Sequence, residues 1–449
     1  MPIISISAVL ASLILMMKFC SLLAIQRSIS AEGARKLVHV SMGMMCLSFP
    51  WIFQETQAVV ILASIAVLGI ILIRTTQLRD QLGVSLFSVK RLSIGELVFP
   101  IAVAWLFTMY KSGSHSSAVY YTIPLLLLTL ADTIGAIAGT KFGKVIYKTA
   151  SAQKSVEGSI AFFVTAYTCT FIPLLLFTDQ DVMHITLISL ILTLFMTAVE
   201  GISGMGMDNL LIPIGSYFLL DFYSTIEPHL LWWRVILIVS ILGVLIWTRK
   251  KHNLNGGTVL TASLLCFISS MLGGIYCLLA CLFIFLRHIM AVKNILSEQQ
   301  RHTHSLDTIL SISVPAMTWL TLGNIQSITH ELGCIFFILS LAITIGMLHA
   351  GTHKFTSTYT HITLKSLVKS IVLTGLLATL CYPLTSHTPQ AFSFLFILCI
   401  ICSGLCAAIF HTLRSEGEPR WSDWVLLCLL TATSTTIIYY SYGHYYPSI

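Results

Sequence analysis

Apolar runs of about 20 residues recur along the whole chain and are separated by short polar segments. A helix needs a run of that length to cross the roughly 30 Å hydrocarbon core of a bilayer. The runs are continuous and do not alternate between apolar and polar residues, so a membrane β-barrel is not expected. The pattern predicts an all-α, polytopic transmembrane helical bundle with about 13 to 16 spans.

The first 25 residues are too long and too apolar for a cleaved signal and lack a basic leading region, so they are interpreted as the first span. The predicted spans are 3–25, 37–54, 57–74, 94–110, 117–138, 158–178, 184–201, 206–221, 229–248, 257–272, 273–290, 308–325, 332–350, 366–386, 391–411 and 421–442.

Composition supports a membrane protein. Of the 449 residues, 56% are hydrophobic and only 10% are charged, whereas an average soluble chain carries about 25% charge. A water-soluble multidomain enzyme is therefore not expected. The net charge of +7 is not concentrated in a basic patch interleaved with aromatic residues, so nucleic acid is not an expected partner. Three closely spaced cysteines lie in an apolar run without a carboxylate, so a metal or disulfide role is not expected for Cys399, Cys402 and Cys406.

Lysine and arginine are concentrated in alternate loops. The loops 26–36, 74–91, 141–154 and 249–251 are basic, and the loops between them are poor in Lys and Arg. Positively charged loops remain in the cytoplasm. This bias predicts that the N-terminus lies on the non-cytoplasmic side of the membrane. It also predicts that any site built on the basic loops lies on the cytoplasmic face.

The acidic residues of the first half converge on the same side. Six of them are predicted at span ends or in loops on the basic face: Glu32, Glu96, Asp132, Glu157, Glu200 and Asp208. A carboxylate at a membrane-buried span end is expensive and suggests a functional site, although solvation at the interface is the alternative. No such cluster recurs later in the chain. We therefore predict a catalytic transmembrane domain at 1–250 and a second transmembrane bundle at 251–449.

The segment 131–158 carries the most informative pattern. It combines an acid with spaced glycines, lysines and a second acid: Asp132, Gly135, Gly139, Gly143, Lys144, Lys154, Ser155, Glu157 and Gly158. Glycines admit close backbone approach, lysines neutralise phosphate oxygens, and carboxylates hold a divalent cation that bridges phosphates. The pattern predicts a polyphosphate site with Mg²⁺. A small-xxx-small helix-packing face is the alternative explanation for the glycines.

Three further segments fit this interpretation. At the second span, Glu32, Lys36 and His39 share one helical face, and Arg35 lies beside them. Glu96 begins the fourth span. The segment 200–209, from Glu200 to Asp208 and Asn209, interrupts an apolar region with three glycines. Irregular backbone at membrane depth is tolerated only where it lines a cavity.

These motifs, in this order, resemble those of the CTP-dependent polyprenol kinases, which include phytol, farnesol and dolichol kinases. The resemblance covers about residues 26–220 and rests on Arg35-Lys36-x-x-His39 with Gly43, Gly95-Glu96 to Pro100, the run 132–143, Lys154-Ser155-x-Glu157-Gly158, and Asp208-Asn209 with Pro213. It implies transfer of the γ-phosphoryl group of CTP to a long-chain isoprenoid alcohol at the cytoplasmic leaflet.

The resulting hypothesis gives each residue a role. Asp132 binds the metal or accepts the alcohol proton, Lys154 contacts phosphate oxygens, and Glu157 orients Lys154 or touches a second metal. The metal ligands are Asp132 and Asp208. The nucleotide- or phosphate-binding set is Arg35, Lys36, His39, Gly135, Gly139, Gly143, Lys144, Ser155, Gly158 and Asn209. Further candidates are Glu32, Glu96 and Glu200.

Two other functions remain as alternatives. The run 132–158 also resembles the phosphatidate cytidylyltransferases, but their C-terminal signature is missing and the chain has Met207-Asp-Asn209 instead. A transporter should show paired inverted repeats with broken helices, and the second half has no interruption matching 201–206. Residues 253–323 also resemble, more weakly, the membrane family that includes phytyl-phosphate kinase. Because that family's acidic segment is missing here, a degenerate or structural bundle is favoured.

Overall fold

The computed structural model describes residues 2–26, 31–76, 94–113, 117–149, 153–247, 256–293, 306–356, 364–385, 389–413 and 421–445. These residues cluster into two compact units, Met1–Ser240 and Ile241–Ile449. The predicted division at 250/251 lies ten residues beyond this boundary. Its meaning as a division between two functions stays a prediction.

The first unit is helical apart from one hairpin within its described part. Its helices are α1 (Pro2–Ile25), α2 (Ala31–Leu47), α3 (Phe49–Ile52), α4 (Thr56–Thr75), α5 (Gly95–Ser112), α6 (Val119–Leu126), α7 (Asp132–Phe142), α8 (Val156–Phe177), α9 (Val182–Ile202), α10 (Asp208–Ser224) and α11 (Pro228–Trp247). A π-helical turn, Leu127–Ala131, joins α6 to α7. The strands β1 (Ile146–Lys148) and β2 (Gln153–Ser155) form the antiparallel hairpin between α7 and α8.

The second unit contains six helices in its described part. They are α12 (Gly256–Lys293), α13 (Leu306–Asn324), α14 (His330–Thr356), α15 (Leu364–Ala378), α16 (Pro389–Leu413) and α17 (Trp421–Tyr445), with a 3₁₀ segment at Thr379–Thr385. Helix α14 is the centre of this unit, because 83% of its most apolar stretch is buried and it packs against the five other helices.

Ten helices among the described residues are long and apolar enough to cross a bilayer. The fold class is therefore confirmed: the protein is an all-α, multi-pass membrane protein. The predicted total of about 13 to 16 spans also counts shorter helices, such as α2 and α10 with 17 residues each. That larger number stays a prediction.

Helix α12 is a helical hairpin. Its backbone breaks at Gly274, where φ is 72° and ψ is −160°, a conformation that glycine adopts without a steric penalty. Cys281 Sγ lies 3.6 Å from Ser269 Oγ, although twelve residues of straight helix would separate the two positions by about 18 Å. The chain therefore folds back at this point, in agreement with the predicted break between 272 and 273.

Candidate functional site

The first feature of the site is a buried ion pair between α2 and the start of α7. Lys36 Nζ donates a hydrogen bond of 2.6 Å to Asp132 Oδ2, and the two side chains are 9% and 7% exposed. His39 Nε2 lies 3.7 Å from the same carboxylate oxygen. Since Lys36 and His39 are three residues apart on a helix, they share a face and reach Asp132 together.

A π-helical turn positions Asp132. The backbone N–H of Asp132 donates to Leu127 O, five residues earlier, and the regular helix α7 begins at Asp132. A return from five-residue to four-residue pairing leaves one carbonyl without its helical partner. Leu128 O accepts a hydrogen bond of 2.9 Å from His39 Nε2. The turn therefore fixes the Asp132 backbone and holds the imidazole beside its carboxylate.

A second ion pair joins the hairpin to the end of α9. Lys154, on β2, donates to Glu200 Oε1, and the two side chains are 19% and 9% exposed. Burial lowers the pKa of the Lys154 ammonium, but the carboxylates of Glu200, Asp208 and Asp132 together raise it by more, so its pKa lies above the ordinary value. Lys154 is therefore a fixed positive charge at neutral pH.

The two pairs belong to one electrostatic cluster, which Asp208 joins. The charge of Lys154 interacts with Asp132 and Asp208 as well as with Glu200, and Asp208 also acts on His39. The cluster contains Lys36, His39, Asp132, Lys154, Glu200 and Asp208. We call these six residues the charged cluster. Four separate helices and the hairpin contribute to it.

The loop before Asp208 is tightly shaped. Met205 and Gly206 both have positive φ, at 53° and 85°. Ile94 N donates to Met205 O over 2.9 Å, and Asn209 Nδ2 donates to Gly95 O over 2.8 Å. These bonds tie the start of α5 to the start of α10. The side-chain amide of Asn209 therefore has a positioning contact, and its predicted role in nucleotide binding stays a prediction.

One of the further acidic candidates, Glu96, pairs with an arginine outside the cluster. Glu96 Oε1 lies 3.9 Å from Arg74 Nη1, an ion pair between α5 and the end of α4. The side chain of Glu32 lies outside the described residues. Of the two further candidates whose side chains are described, Glu200 pairs with a lysine of the cluster and Glu96 pairs with Arg74.

Glu157 contacts the backbone of Val145 and not Lys154, and its predicted role, orienting Lys154 or touching a second metal, stays a prediction. The Glu157 carboxylate accepts from Val145 N at 3.2 and 3.3 Å. Val156 N also donates to Val145 O over 2.9 Å, so the first turn of α8 is held against the start of the hairpin. Glu157 lies in that turn and contacts Val145 N, whereas Lys154 pairs with Glu200.

The glycines pack two helices together. A Cβ on Gly158 would lie 2.9 Å from Gly135 O and 3.0 Å from Gly139 Cα. On Gly143, it would lie 2.8 Å from Ser155 Oγ. Helices α7 and α8 thus approach closely along these positions, which is the packing alternative that the four-residue spacing left open. Their predicted role in phosphate binding has no such geometric support.

The remaining phosphate-binding candidates are placed less directly. Ser155 caps α8, and its Oγ accepts from Gly158 N over 3.2 Å. Lys144 is exposed just after α7, and Arg35 is half-buried on α2 next to Lys36. The side chains of Lys144 and Arg35 therefore stay candidates for contacts at the edge of the cluster.

Sequence reasoning missed an unpaired polar atom next to Asp132 in the chain. Thr133 follows Asp132 directly, and its buried Oγ1 has no hydrogen-bond partner. Buried threonines on neighbouring helices commonly donate to the carbonyl four residues earlier, as Thr170 does to Ala166 O. An unpaired buried hydroxyl costs free energy unless a ligand or water satisfies it. No pattern in the sequence distinguishes Thr133 from the other threonines.

The donor chemistry of the cluster suits a hard divalent cation, because its carboxylates supply oxygen ligands. Within the described ranges, no group of three His, Cys, Asp or Glu side chains lies close enough together to hold a metal. Mg²⁺ does not require such a group, since it is usually bound through one or two carboxylates together with substrate phosphates. The residues present therefore fit Mg²⁺ in the company of a polyphosphate.

Fold and site together define a class: a multi-pass α-helical membrane protein with a buried, charge-paired cluster near the ends of its helices. The chain is 26% identical over 190 residues to a protein named phytol kinase from Synechocystis sp., and the match covers 41% of this chain and 77% of that relative. No family model and no solved structure matches the chain. The similarity supports the resemblance to the polyprenol kinase family.

Proposed function

We propose that the protein is an integral-membrane kinase that transfers the γ-phosphoryl group of CTP to a long-chain isoprenoid alcohol. The observation that carries this proposal is the charged cluster, in which a buried lysine, a partly buried lysine and three carboxylates are gathered in a membrane protein similar to a phytol kinase. Phosphoryl transfer needs positioning and neutralisation of charge more than covalent chemistry. Lysines and carboxylates held in fixed positions meet both requirements.

The residues of the cluster take the following roles in the proposal. Lys36 and Lys154 neutralise phosphate oxygens. Asp132 holds the metal or accepts the proton of the alcohol, and its neighbour Thr133 offers a hydrogen bond to an incoming polar group. Glu200 fixes Lys154, because the two side chains are paired. Lys144 and Arg35 lie outside these pairs and would contact the nucleotide at the edge of the site.

Asp132 and Asp208 are the residues that would hold Mg²⁺, which would supply charge neutralisation to the phosphates. The isoprenoid tail would lie against the apolar surfaces of the spans, and this explains why the reaction takes place in a membrane protein. We place the site on the cytoplasmic face, because the basic loops that flank it are retained there.

The test is a panel assay with the purified chain in detergent. Phytol, farnesol, geranylgeraniol and dolichol are each offered with CTP, ATP, GTP or UTP and Mg²⁺, and the labelled lipid is counted. We expect label from the γ-position of CTP to appear on at least one alcohol. Label from the α-position on a lipid would indicate a cytidylyltransferase instead. If no alcohol is labelled with any nucleotide, the kinase proposal is wrong.

A further inference from the structure

A thiol and an imidazole are in contact at the start of α14, in the second unit. Cys334 Sγ lies 3.8 Å from Nδ1 of His330, which precedes it by one helical turn. The other ring nitrogen of His330, Nε2, lies 2.7 Å from Leu272 O, which can only accept a hydrogen bond. Nε2 therefore carries the proton, and Nδ1 of the neutral imidazole can accept one. The imidazole is thus oriented as a base toward the Cys334 thiol.

A second thiol lies against the first. Cys277, on the second arm of α12, is in hydrogen-bond contact with Cys334. Gly273 makes room for it, since a Cβ at that position would overlap Cys277 Sγ. Gly273 O also lies 3.7 Å from Cys334 Sγ. The break of α12 therefore brings two cysteines and a histidine to one place. We call Cys277, His330 and Cys334 the dithiol group.

The dithiol group lies close to the exposed end of α14. Residues 324–327, which precede this helix, are exposed, and so is His330. Cys334 and Cys277 are buried, at 2% and 0% exposed. Cys334 is nevertheless only four residues from His330, which is about 6 Å along the helix axis. A reagent of a few atoms has one helical turn to cross before it reaches the sulfur, whereas a protein partner is excluded.

Another pair of thiols in the same unit lacks the base. Cys266 and Cys281 contact each other across the two arms of α12, and Cys281 Sγ lies 3.6 Å from Ser269 Oγ. Within the described part of the chain, no imidazole contacts either of these thiols. The second unit therefore contains two thiol pairs that differ in the presence of a histidine, and each serves as a comparison for the other.

The chemistry of sulfur determines what the dithiol group can do. The thiolate is the reactive form of cysteine, and a neighbouring imidazole favours it by taking the proton. A hydroperoxide oxidises a thiolate to a sulfenic acid, which condenses with a second thiol to a disulfide. We propose that the dithiol group is an oxidation site for small hydroperoxides, with His330 as the base, Cys334 as the attacking sulfur and Cys277 as the resolving thiol. The proposal does not rest on the kinase function.

The reaction takes two steps. His330 Nδ1 takes the proton of Cys334, and the thiolate attacks the terminal oxygen of the hydroperoxide ROOH. The O–O bond breaks, ROH leaves with the proton returned by His330, and Cys334 becomes a sulfenic acid. The Cys277 sulfur then attacks the Cys334 sulfur, the S–O bond breaks, and water leaves with the proton of Cys277. Two thiols thus lose two electrons and two protons, and ROOH becomes ROH and water. The disulfide joins α12 to α14.

The experiment exposes the full-length chain in detergent to hydrogen peroxide and then labels the remaining thiols with an alkylating reagent. Mass spectrometry of the peptides gives the rate at which each thiol is lost and the disulfides that form. We expect Cys277 and Cys334 to be lost together and to form one disulfide, at least about tenfold faster than Cys266 and Cys281 react. Dithiothreitol should restore both thiols.

Single variants separate the three roles. In Cys277→Ser the resolving thiol is missing, so Cys334 should stop at a sulfenic acid that dimedone traps. Cys334→Ser should leave Cys277 unoxidised. His330→Gln keeps an amide that can donate to Leu272 O but removes the base, and it should slow the oxidation at least about tenfold. Added imidazole should restore part of the rate lost in His330→Ala, which a purely structural role would not allow.

Cys281→Ser is the matched control, because it removes a thiol from the pair without a histidine and should leave the oxidation of Cys277 and Cys334 unchanged. Gel filtration checks that each variant folds. The proposal is overturned if no disulfide joins Cys277 to Cys334, if both thiol pairs react at the same rate, or if His330→Gln reacts as fast as the wild type. If His330→Gln does not fold, the comparison of the two pairs in the wild type still decides, since it needs no substitution.

Discussion

Lys36 and Asp132, separated by 96 positions in the chain, are joined by a buried hydrogen bond of 2.6 Å. This contact links α2 to the start of α7, and it places the acid that closes a long apolar run directly on a lysine of the basic segment before the second span. A catalytic or metal-binding Asp132 is therefore coupled to Lys36, and no variant of one can be interpreted without the other.

Replacing Asp132 by Asn should lower phosphoryl transfer by at least about a hundredfold, because the amide keeps the size of the side chain but removes the charge a metal or a proton needs. The measurement is γ-label transfer to the best alcohol of the panel, with membrane insertion checked by expression and gel filtration. Lys36→Met/Asp132→Asn is the folding control, since it removes the lysine left without a partner. Near-normal turnover in Asp132→Asn would exclude Asp132 from the reaction.

Replacing Glu200 should reduce activity much more than replacing Glu157. Glu200→Gln removes the partner of Lys154, so we expect transfer to fall by at least about tenfold. Glu157→Gln weakens exposed contacts with the backbone around Val145 and with Lys144, and we expect a change of less than about threefold in activity. The two variants carry the same chemical change and are assayed side by side. A larger loss of activity with Glu157→Gln would support the catalytic role predicted from the sequence.

The Lys154–Glu200 pair should have a defined pH dependence. The folded-state pKa of Lys154 lies above its ordinary value, so the pair contributes fully below the unfolded pKa of about 10.4 and is lost as the pH rises through the folded pKa. We compare the Tm of the wild type with that of Lys154→Met/Glu200→Gln. The difference should stay constant between pH 7 and 9 and should change only in more alkaline buffer. A difference that falls as the pH rises from 7 to 9 would contradict the raised pKa of Lys154.

Gly158 should be required for packing. Gly158→Ala places a Cβ 2.9 Å from Gly135 O and 3.0 Å from Gly139 Cα, and since both are backbone atoms the helices must separate. We expect a loss of about 1–3 kcal/mol in stability, seen as a lower Tm in detergent. Gly69→Ala, on α4 with no atom near the added Cβ, is the matched control and should change stability by no more than about 1 kcal/mol. Equal Tm values for both variants would contradict the packing role.

The predicted topology can be tested with single cysteines. Lys141 at the end of α7 and Asp179 between α8 and α9 are both exposed, and a membrane-spanning α8 places them on opposite sides of the bilayer. In a background without native cysteines, Lys141→Cys and Asp179→Cys should react with an impermeant thiol reagent from opposite sides of sealed vesicles. The charge bias puts residue 141 on the cytoplasmic side. Labelling of both from one side would mean that α8 does not span the membrane.

The sequence by itself determined the membrane class, most helix positions and the break near Gly274. These follow from local properties, namely apolar runs of spanning length, one of which, 257–290, is long enough for two spans. It also indicated which charged residues matter, because a charge inside an apolar chain is expensive wherever the chain folds. Asp132 and Glu200 stood out on that ground, and Lys154 stood out through its place in the segment 131–158.

Only the tertiary structure decided which charges meet. From the sequence, Lys154 could pair with either Glu157 or Glu200, depending on the fold. In the structure the hairpin meets the end of α9, and Lys154 pairs with Glu200. The spacing of Gly135 and Gly139 suits either the close approach of a phosphate or the packing of a second helix. In the structure, α8 packs against these two glycines. The π-helical turn before Asp132 also has no local signature. Pairing of this kind depends on contacts between distant segments, which one-dimensional patterns of charge and apolarity do not contain.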